Sequence, residues 1–262
     1  MKSNGRIQIN GLLLVCVLAA LVQAGNPSHS IKLVVAGGGK LPSSVYEEFH
    51  RLAGQTPVLA VVPTATSRAV DETAIEKTWK ERGFERVSVL HTTDRELAST
   101  DNFLSALDEA TAVWFSGGSQ QRLADAYCGT RFEKALEDVL NRGGVVGGSS
   151  AGAAIQSKTM IASGNPVPRI SQGFDLVPCA IVDQHFLRRN RIQRLANAIE
   201  LHPSLTGIGV DEGTAVVIQD GTCRVVGDSY VLKLQVVESR LSIEAFNQGE
   251  EFALPASDED RK

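Results

Sequence analysis

Residues 145–153 read Val-Val-Gly-Gly-Ser-Ser-Ala-Gly-Ala, and this stretch decides the fold. A short apolar strand leads into small residues, and a helix is predicted from Ala151 onward. The five residues from Gly148 to Gly152 fit the G-x-S-x-G pattern, in which a serine stands on a sharp turn between strand and helix. Small neighbours are needed because the strand and the helix pass close together. The pattern predicts an α/β fold with a serine hydroxyl exposed at a strand end.

Two serines compete for the centre of this pattern. Centred on Ser149, it would require glycine at position 151, where alanine stands, so Gly152 favours Ser150. A Walker-type phosphate loop would need Gly-Lys-Ser/Thr, which is absent. A plain tight turn rich in glycine and serine is the remaining structural alternative.

Outward from this turn, short apolar runs alternate with helical stretches over residues 31–154. The runs are near-continuous instead of alternating with polar residues, as strands buried on both faces of a parallel sheet require. We therefore predict a doubly wound α/β domain with a mostly parallel sheet. The predicted strands before Ser150 are 31–35, 58–62, 87–90, 113–115 and 145–146.

The C-terminal part differs, because it contains strands joined by short turns. Asp220-Gly221 is a hairpin signal between two of these strands. We predict that they extend the same sheet instead of forming a second domain, so that residues 25–262 make one domain. The predicted strands of this extension are 206–210, 215–219, 224–226 and 231–237.

The N-terminus has the layout of a secretory signal peptide. Lys2 and Arg6 give a positive start, residues 11–22 are almost wholly apolar, and small side chains precede Gly25. A membrane-spanning helix needs about 20 apolar residues, which disfavours a membrane anchor. We predict that residues 1–24 are removed and that the mature protein is periplasmic or secreted.

Composition and charge argue against several classes of partner. Hydrophobic residues make up 43% and charged residues 21% of the chain, as in an ordinary globular protein. Loss of the leader moves the net charge from −4 to −6, because it removes two basic residues and no acidic one. Nucleic acid calls for basic patches, so no nucleic-acid partner is expected. Without an HExxH or a CxxC pair, no metal and no other cofactor is expected.

The number of cysteines limits the disulfides that the mature protein could form. Cys128, Cys179 and Cys223 remain after the predicted processing. In an exported protein they allow one disulfide at most, and the pairing stays open.

Gly37-Gly38-Gly39 follows the first strand, but a dinucleotide fingerprint would need another glycine at position 42, which is proline.

A serine hydroxyl is a weak nucleophile and needs a base. Ligands of open parallel sheets bind beyond the carboxyl ends of the strands, where His91 and His185 are both predicted to lie. His185 leaves an apolar run directly after Asp183 and Gln184. A lone histidine at a strand exit is more often structural than catalytic, but these polar neighbours favour His185 as the candidate base.

Two further groups would complete a hydrolytic site. Asp211 and Glu212 end the apolar run 208–210, and either could supply the carboxylate that fixes the imidazole tautomer. The simpler alternative is that they open a turn. Backbone amides should hold the oxyanion, and the candidates are Ala151, directly after the serine, and Gly118 on a neighbouring loop.

Four arginines follow the candidate base: Arg188, Arg189, Arg191 and Arg194. Arg191 and Arg194 are about one helical turn apart and share a face. Guanidinium groups bind carboxylates in a two-pronged manner. A solvated helix face is the alternative, but the position beside His185 favours an anionic substrate group.

Four blocks of these residues, in this order, together resemble the family of cyanophycinase and peptidase E. Each block alone is weak, but four in the family's order are strong, and the resemblance spans roughly residues 31–237, almost the whole predicted mature chain. The blocks are 117–120, 148–153, 183–186 with Arg189, Arg191 and Arg194, and 207–215.

The resemblance implies a serine peptidase with a class I glutamine amidotransferase-like α/β fold. It assigns Ser150 as the nucleophile, His185 as the base and Glu212 as the orienting carboxylate. The positions that match the substrate pocket of cyanophycinase are Gln120, Asp183, Gln184, Arg189, Arg191 and Arg194.

The arginine cluster and block 183–186 favour cyanophycinase over peptidase E. Cyanophycin is a polyaspartate with arginines attached through the aspartate side chains, and cyanophycinases release β-Asp-Arg dipeptides from it. The expected partner is thus a polymer or peptide rich in aspartyl linkages. An Asp-X or isoaspartyl dipeptidase, and a non-catalytic exported binding protein on the same scaffold, stay open, as does a homodimer. Ser119, Ser149 and Asn190 depart from the family pattern and leave the substrate open.

Overall fold

The structure is a computed structural model that describes residues 31–177 and 179–255. The predicted signal peptide therefore lies outside the described residues. The strands are β1 (Lys32–Ala36), β2 (Val58–Val62), β3 (Arg86–Val89), β4 (Ala112–Phe115), β5 (Val145–Ser149), β6 (Thr159–Ser163), β7 (Arg169–Gln172), β8 (Ala180–Gln184), β9 (Thr206–Val210), β10 (Thr214–Gln219), β11 (Thr222–Gly227), β12 (Val231–Val237), β13 (Arg240–Phe246) and β14 (Glu251–Ala253). The helices are α1 (Ser43–Ala53), α2 (Glu72–Lys80), α3 (Asp101–Asp108), α4 (Gln120–Tyr127), α5 (Arg131–Asn141), α6 (Ala151–Ala154) and α7 (Ile192–Leu201), with a 3-10 helix at Leu97–Ser99.

The main sheet confirms the predicted doubly wound architecture. Its strand order is β14-β11-β10-β1-β5-β4-β2-β3, and the strands from β1 to β3 in that order are parallel. Leu33 and Val35 of β1 pack into a core with α3, α4 and α5, whereas Val34 and Ala36 pack with α1 and α2. Successive side chains of a strand point to opposite faces, so helices on both faces explain the near-continuous apolar runs.

A second sheet, ordered β13-β12-β9-β8, corrects part of the C-terminal prediction. Strands β10 and β11 extend the main sheet as expected, but β9 and β12 pair with β8 and β13 instead. The apolar pattern of a strand does not encode its partner, so the sequence could not separate the two sheets. Gly207 and Gly209 of β9 let α7 and the Phe186 ring pack directly against the strand, because a side chain at either position would meet them within 3.0 Å.

The two sheets meet at one rim. Parallel pairing aligns Ala36 at the end of β1 with Ser149 at the end of β5. The second sheet is tied to this rim, because the amide of His185, just after β8, donates to Gly37 O at 2.8 Å. The chain then crosses from β9 to β10 at this rim, and the amide of Gly213 donates to Gly38 O at 3.0 Å. Residues remote in sequence are thereby gathered at the carboxyl ends of the strands.

The described helices and cysteines bear on two further expectations from the sequence. In residues 31–177 and 179–255, every helix is too short or too polar to cross a membrane. Cys128, Cys179 and Cys223 are all free thiols, so the single disulfide that the sequence allowed is not formed among them. Burial raises the pKa of the Cys223 thiol to about 12, which leaves it protonated and unreactive at neutral pH.

Candidate active site

Ser150 occupies a strained turn between β5 and α6. Its φ of 55° and ψ of −109° are unusual for a residue that carries a side chain. The turn is held because the Ser150 amide donates to Ala36 O at 2.9 Å, and Ser150 O accepts from the amide of Ala154 at 3.0 Å. A Cβ at Gly148 would lie 2.2 Å from Gly152 O. The close approach of strand and helix predicted for the G-x-S-x-G pattern is therefore present.

Ser150, His185 and Glu212 form one line of hydrogen bonds. The Ser150 hydroxyl lies 2.8 Å from His185 Nε2, and Nδ1 of the same ring lies 2.6 Å from Glu212 Oε1. A carboxylate can only accept, so Nδ1 carries the ring proton and Nε2 is left to accept from the serine hydroxyl. The three side chains come from the ends of β5, β8 and β9, and the fold brings them together as the sequence analysis expected.

Two alternatives from the sequence lie outside this line. One Asp211 carboxylate oxygen accepts from the amide of Arg188 at 2.9 Å, and the other accepts from the Ser229 hydroxyl at 2.8 Å. Asp211 thus fixes the backbone next to Glu212 and leaves the imidazole contact to its neighbour. Nδ1 of His91 lies 3.0 Å from Thr64 Oγ1, at a different strand exit.

The environment of His185 favours its neutral form. Burial lowers the pKa of His185 below the usual histidine value. The hydrogen bond to Glu212 opposes this effect, whereas the positive charge of Arg189 adds to it. A neutral imidazole at pH 7 has a free lone pair on Nε2, which is the form that a general base requires.

Gly38 and Gly39 form the wall behind this line, a role that the sequence analysis did not assign. A Cβ built on Gly38 would lie 2.5 Å from Cε1 and 2.7 Å from Nε2 of His185, and one on Gly39 would lie 2.8 Å from Glu212 Oε2. Only residues without a side chain let the backbone approach the ring and the carboxylate this closely. Three glycines at a strand exit were the available signal.

The substitution Gly38→Ala is expected to lower kcat/KM by about 100-fold, because a displaced imidazole no longer aligns with the serine hydroxyl. The matched control is Gly54→Ala. Both positions have positive φ, +105° at Gly38 and +95° at Gly54, but a Cβ at Gly54 would meet nothing within 4 Å. Both variants should remain folded in thermal melts, and only the first should lose activity. Equal activity of the two would contradict the role of this wall.

The candidate oxyanion residues lie beside the serine. Ala151 is the first residue of α6, so its amide has no partner one turn earlier in the helix. Gly117 lies against the serine, because a Cβ there would be 3.5 Å from the Ser150 Cβ. Gly118 has φ +147° and packs on the backbone of Ala65. Gly117 and Gly118 both line the cavity in front of the hydroxyl.

This active-site cavity measures about 920 Å³ and is strongly cationic. Arg189, Arg191 and Arg194 line it, and its described lining contains no Asp or Glu side chain. Burial lowers the pKa of Arg191 to about 10, with Arg194 adding to the effect, so that Arg191 still carries its charge at neutral pH. The cavity is therefore suited to a substrate with carboxylates.

Asp183 has a different position from the other predicted substrate-binding residues. It is 1% exposed and does not line the cavity. Its carboxylate accepts from Nε of Arg194 at 2.8 Å and from Nη2 of the same side chain, and it lies 3.5 Å from Arg191. Arg191 also donates to the Oε1 of Gln184 at 2.7 Å. Asp183 and Gln184 thus hold the arginines in place.

The substitution Asp183→Asn is expected to lower the free energy of unfolding by about 3 kcal/mol, because it leaves two arginine charges underneath the cavity without a counter-charge. Asp101→Asn is the matched control. Asp101 pairs with Arg131 at 2.7 Å, but both side chains are more than half exposed, so its loss should cost less than about 1 kcal/mol. Denaturant unfolding of both variants measures the difference, and equal losses would refute the expectation.

The end of β6 and the two residues after it form a wall of the cavity that the sequence analysis missed. Arg194 Nη1 donates to Gly164 O at 3.0 Å, and Gln120 Nε2 donates to Ile161 O at 2.8 Å and to Ala162 O at 3.0 Å. The predicted substrate-binding residues Gln120 and Arg194 therefore also anchor this wall. Nothing in the local sequence indicates it, because the wall is held by partners far along the chain.

Comparison with known proteins identifies the family of this chain. The profile of Peptidase family S51 matches residues 33–226. The chain belongs to peptidase family S51. Among its relatives, the cyanophycinase of Synechococcus elongatus is 36% identical over 189 residues, which cover 68% of this chain and 58% of that protein. The cyanophycinase of Trichormus variabilis is 32% identical over 197 residues, which cover 70% of this chain and 65% of that protein.

A solved structure has a similar fold. The crystal structure of a peptidase from an acI-B1 actinobacterium matches with a TM-score of 0.67. The aligned region covers 87% of this chain and 98% of the actinobacterial chain. Its sequence identity of 24% shows the fold alone. The match to each of the two cyanophycinases spans less than two thirds of that relative's length.

Proposed function

We propose that this protein is a secreted serine peptidase that hydrolyses cyanophycin to β-Asp-Arg dipeptides. The observation that carries the proposal is the line of hydrogen bonds through Ser150, His185 and Glu212, at the edge of a cavity with three arginines and no carboxylate in its described lining. The S51 membership supports a serine peptidase, and the cyanophycinase relatives support this substrate class.

The charge of the cavity fits this substrate. A β-Asp-Arg unit joins the aspartate side chain to the arginine amine, so that each unit of the polymer keeps a free carboxylate. Arg189, Arg191 and Arg194 would bind such carboxylates. Asp183 keeps Arg194 oriented through two hydrogen bonds, which reduces the entropy lost when the substrate is bound.

The proposed reaction is acyl transfer to Ser150. The hydroxyl oxygen attacks an aspartyl carbonyl carbon while Nε2 of His185 takes the proton, and Glu212 stabilises the imidazolium that results. The amides of Gly118 and Ala151 would hold the negative oxygen of the tetrahedral intermediate. The C–N bond then breaks as His185 returns its proton to the leaving amine.

Water completes the proposed cycle. His185 takes a proton from a water molecule, which attacks the acyl carbon, and the bond to Ser150 breaks as the serine oxygen regains a proton. Because the imidazole must be neutral for both attacks, its lowered pKa keeps the base in the active form at neutral pH.

The most direct test of this function is to incubate the protein lacking residues 1–24 with insoluble cyanophycin and to identify the soluble product by mass. β-Asp-Arg dipeptide is expected. Asp-X and isoaspartyl dipeptides are assayed in parallel, and turnover of these alone would replace the proposal by a dipeptidase. No turnover of either class would indicate a binding protein. Export is tested separately, by the presence of Gly25 as the N-terminus of protein recovered outside the cytoplasm.

The pH profile should report the environment of His185. Since burial lowers the pKa of His185, the acid limb of kcat/KM should fall below about pH 6.5, and activity should be lost as the pH drops through that pKa. Arg189→Gln removes a positive charge that lowers this pKa, so it should move the acid limb to higher pH. Arg188→Gln is the control, because Arg188 does not line the active-site cavity whereas Arg189 does. If the acid limb of kcat/KM lay at the same pH in both variants, the assignment of this limb to His185 would be wrong.

A further inference from the structure

A second cavity adjoins the active-site cavity at the candidate oxyanion loop. It measures about 440 Å³ and shares Gly117 and Gly118 with the active-site cavity. Its charged lining consists of Arg68 and Arg122, and no Asp or Glu side chain lines it among the described residues. A ligand that passes the oxyanion loop therefore meets a second region of positive potential.

Both arginines are held at the backbone, and neither guanidinium has an acidic partner among the described residues. The Arg68 amide donates to Thr66 Oγ1 at 3.1 Å, and the Arg122 amide donates to the Ser119 hydroxyl at 3.4 Å. Within residues 31–177 and 179–255, neither guanidinium lies within ion-pair distance of a carboxylate. The Nε of Arg122 lies 3.5 Å from Thr64 O, a long contact that leaves its terminal nitrogens available.

These arginines differ from the cluster formed by Arg191 and Arg194. That cluster is partly neutralised from below by Asp183, whereas Arg68 and Arg122 have no such counter-ion among the described residues. Two arginines without acidic partners in a single cavity that also carries hydroxyl groups suit a carboxylate ligand.

We propose that Arg68 and Arg122 form a second carboxylate subsite, which binds one carboxylate of a substrate while its scissile carbonyl lies at Ser150. The inference rests on the proposed function, because it requires a substrate with several carboxylates. The two cavities meet at Gly117 and Gly118, so a polymer with several carboxylates can occupy both at once. The subsite therefore adds to the affinity for a substrate that carries several carboxylates.

Binding to an inactive protein tests the subsite without turnover. Calorimetry measures the affinity of tetra-aspartate for the Ser150→Ala protein, alone and combined with R68Q/R122Q. The double substitution should raise Kd by about 10-fold or more, since each lost charge-assisted contact is worth roughly 3- to 10-fold at a partly exposed site. Tetra-asparagine has no side-chain carboxylates, so its Kd should be the same for the Ser150→Ala protein with and without R68Q/R122Q.

The matched control is Arg240→Gln, which removes an exposed arginine from β13 in the second sheet. It should leave the Kd of tetra-aspartate unchanged, and thermal melts should show that R68Q/R122Q is folded. In the active protein, R68Q/R122Q should raise the KM for cyanophycin by a similar factor and leave kcat nearly unchanged.

The outcomes separate the subsite from the proposed function. An equal Kd for R68Q/R122Q and Arg240→Gln, or undetectable binding of tetra-aspartate to the Ser150→Ala protein, overturns the subsite. If the protein does not cleave cyanophycin but R68Q/R122Q still weakens tetra-aspartate binding, the subsite stands and the cyanophycin proposal fails.

Discussion

Replacement of Ser150 by alanine is expected to lower kcat for peptide hydrolysis by about 10⁴- to 10⁶-fold, as removal of a serine nucleophile does in other serine peptidases. The hydroxyl lies 2.8 Å from Nε2 of His185, and no other group in this line of hydrogen bonds can form the acyl intermediate. The rate is measured as release of soluble dipeptide from cyanophycin. The fold should persist, because the Ser150 side chain makes no capping hydrogen bond to α6.

Ser149→Ala provides the control for this experiment. Ser149 is the neighbouring serine and also lines the cavity, but the hydrogen bond to the imidazole is made by Ser150. Its replacement should change kcat by less than about 10-fold. If Ser150→Ala kept more than a few per cent of the activity, or if Ser149→Ala were the inactive variant, the assignment of the nucleophile would be wrong.

The second large effect is expected for Glu212→Gln, which should lower kcat by about 10³- to 10⁴-fold with little change in KM. The amide cannot stabilise an imidazolium, and it can reverse the ring tautomer, as the corresponding amide does in the chymotrypsin triad. Glu212 Oε1 lies 2.6 Å from Nδ1. Steady-state kinetics at a pH above the acid limb separate kcat from KM.

Asp211→Asn tests the neighbouring carboxylate under the same conditions. Asp211 bonds the amide of Arg188 and the Ser229 hydroxyl, and asparagine can keep both partners with one oxygen and one nitrogen. Its activity should stay within about 10-fold of the unmodified protein. A larger loss for Asp211→Asn than for Glu212→Gln would exchange the roles of the two residues.

Much of the site could be predicted from the sequence, because local chemistry marks it. Residues 148–152 require a strained turn whatever lies around them, and Ser150 has the positive φ that this implies. The ends of apolar runs indicate which side chains share a rim, since parallel strands place their carboxyl ends together. His185 and Glu212 both follow such runs, and both belong to the line of hydrogen bonds that starts at Ser150.

Other features depend on contacts between distant residues and have no local signal. Strand β9 looks like β10 in sequence, but it pairs with β8 in the second sheet. The family resemblance implied a place for Asp183 in the substrate pocket, but its side chain is buried against Arg194. Apart from the family resemblance, the residues alone left the choice between Asp211 and Glu212 open, because adjacent residues of a turn point in different directions.

The central claim is that Nε2 of His185 is the base that takes the proton of Ser150. Nitrogen NMR of the histidine rings, assigned with a His185→Ala protein, tests it directly. At pH 7.5 the account predicts a protonated Nδ1, hydrogen-bonded to Glu212, and an unprotonated Nε2 in the same ring. A proton on Nε2 at that pH would leave the ring unable to accept from the serine and would contradict the account.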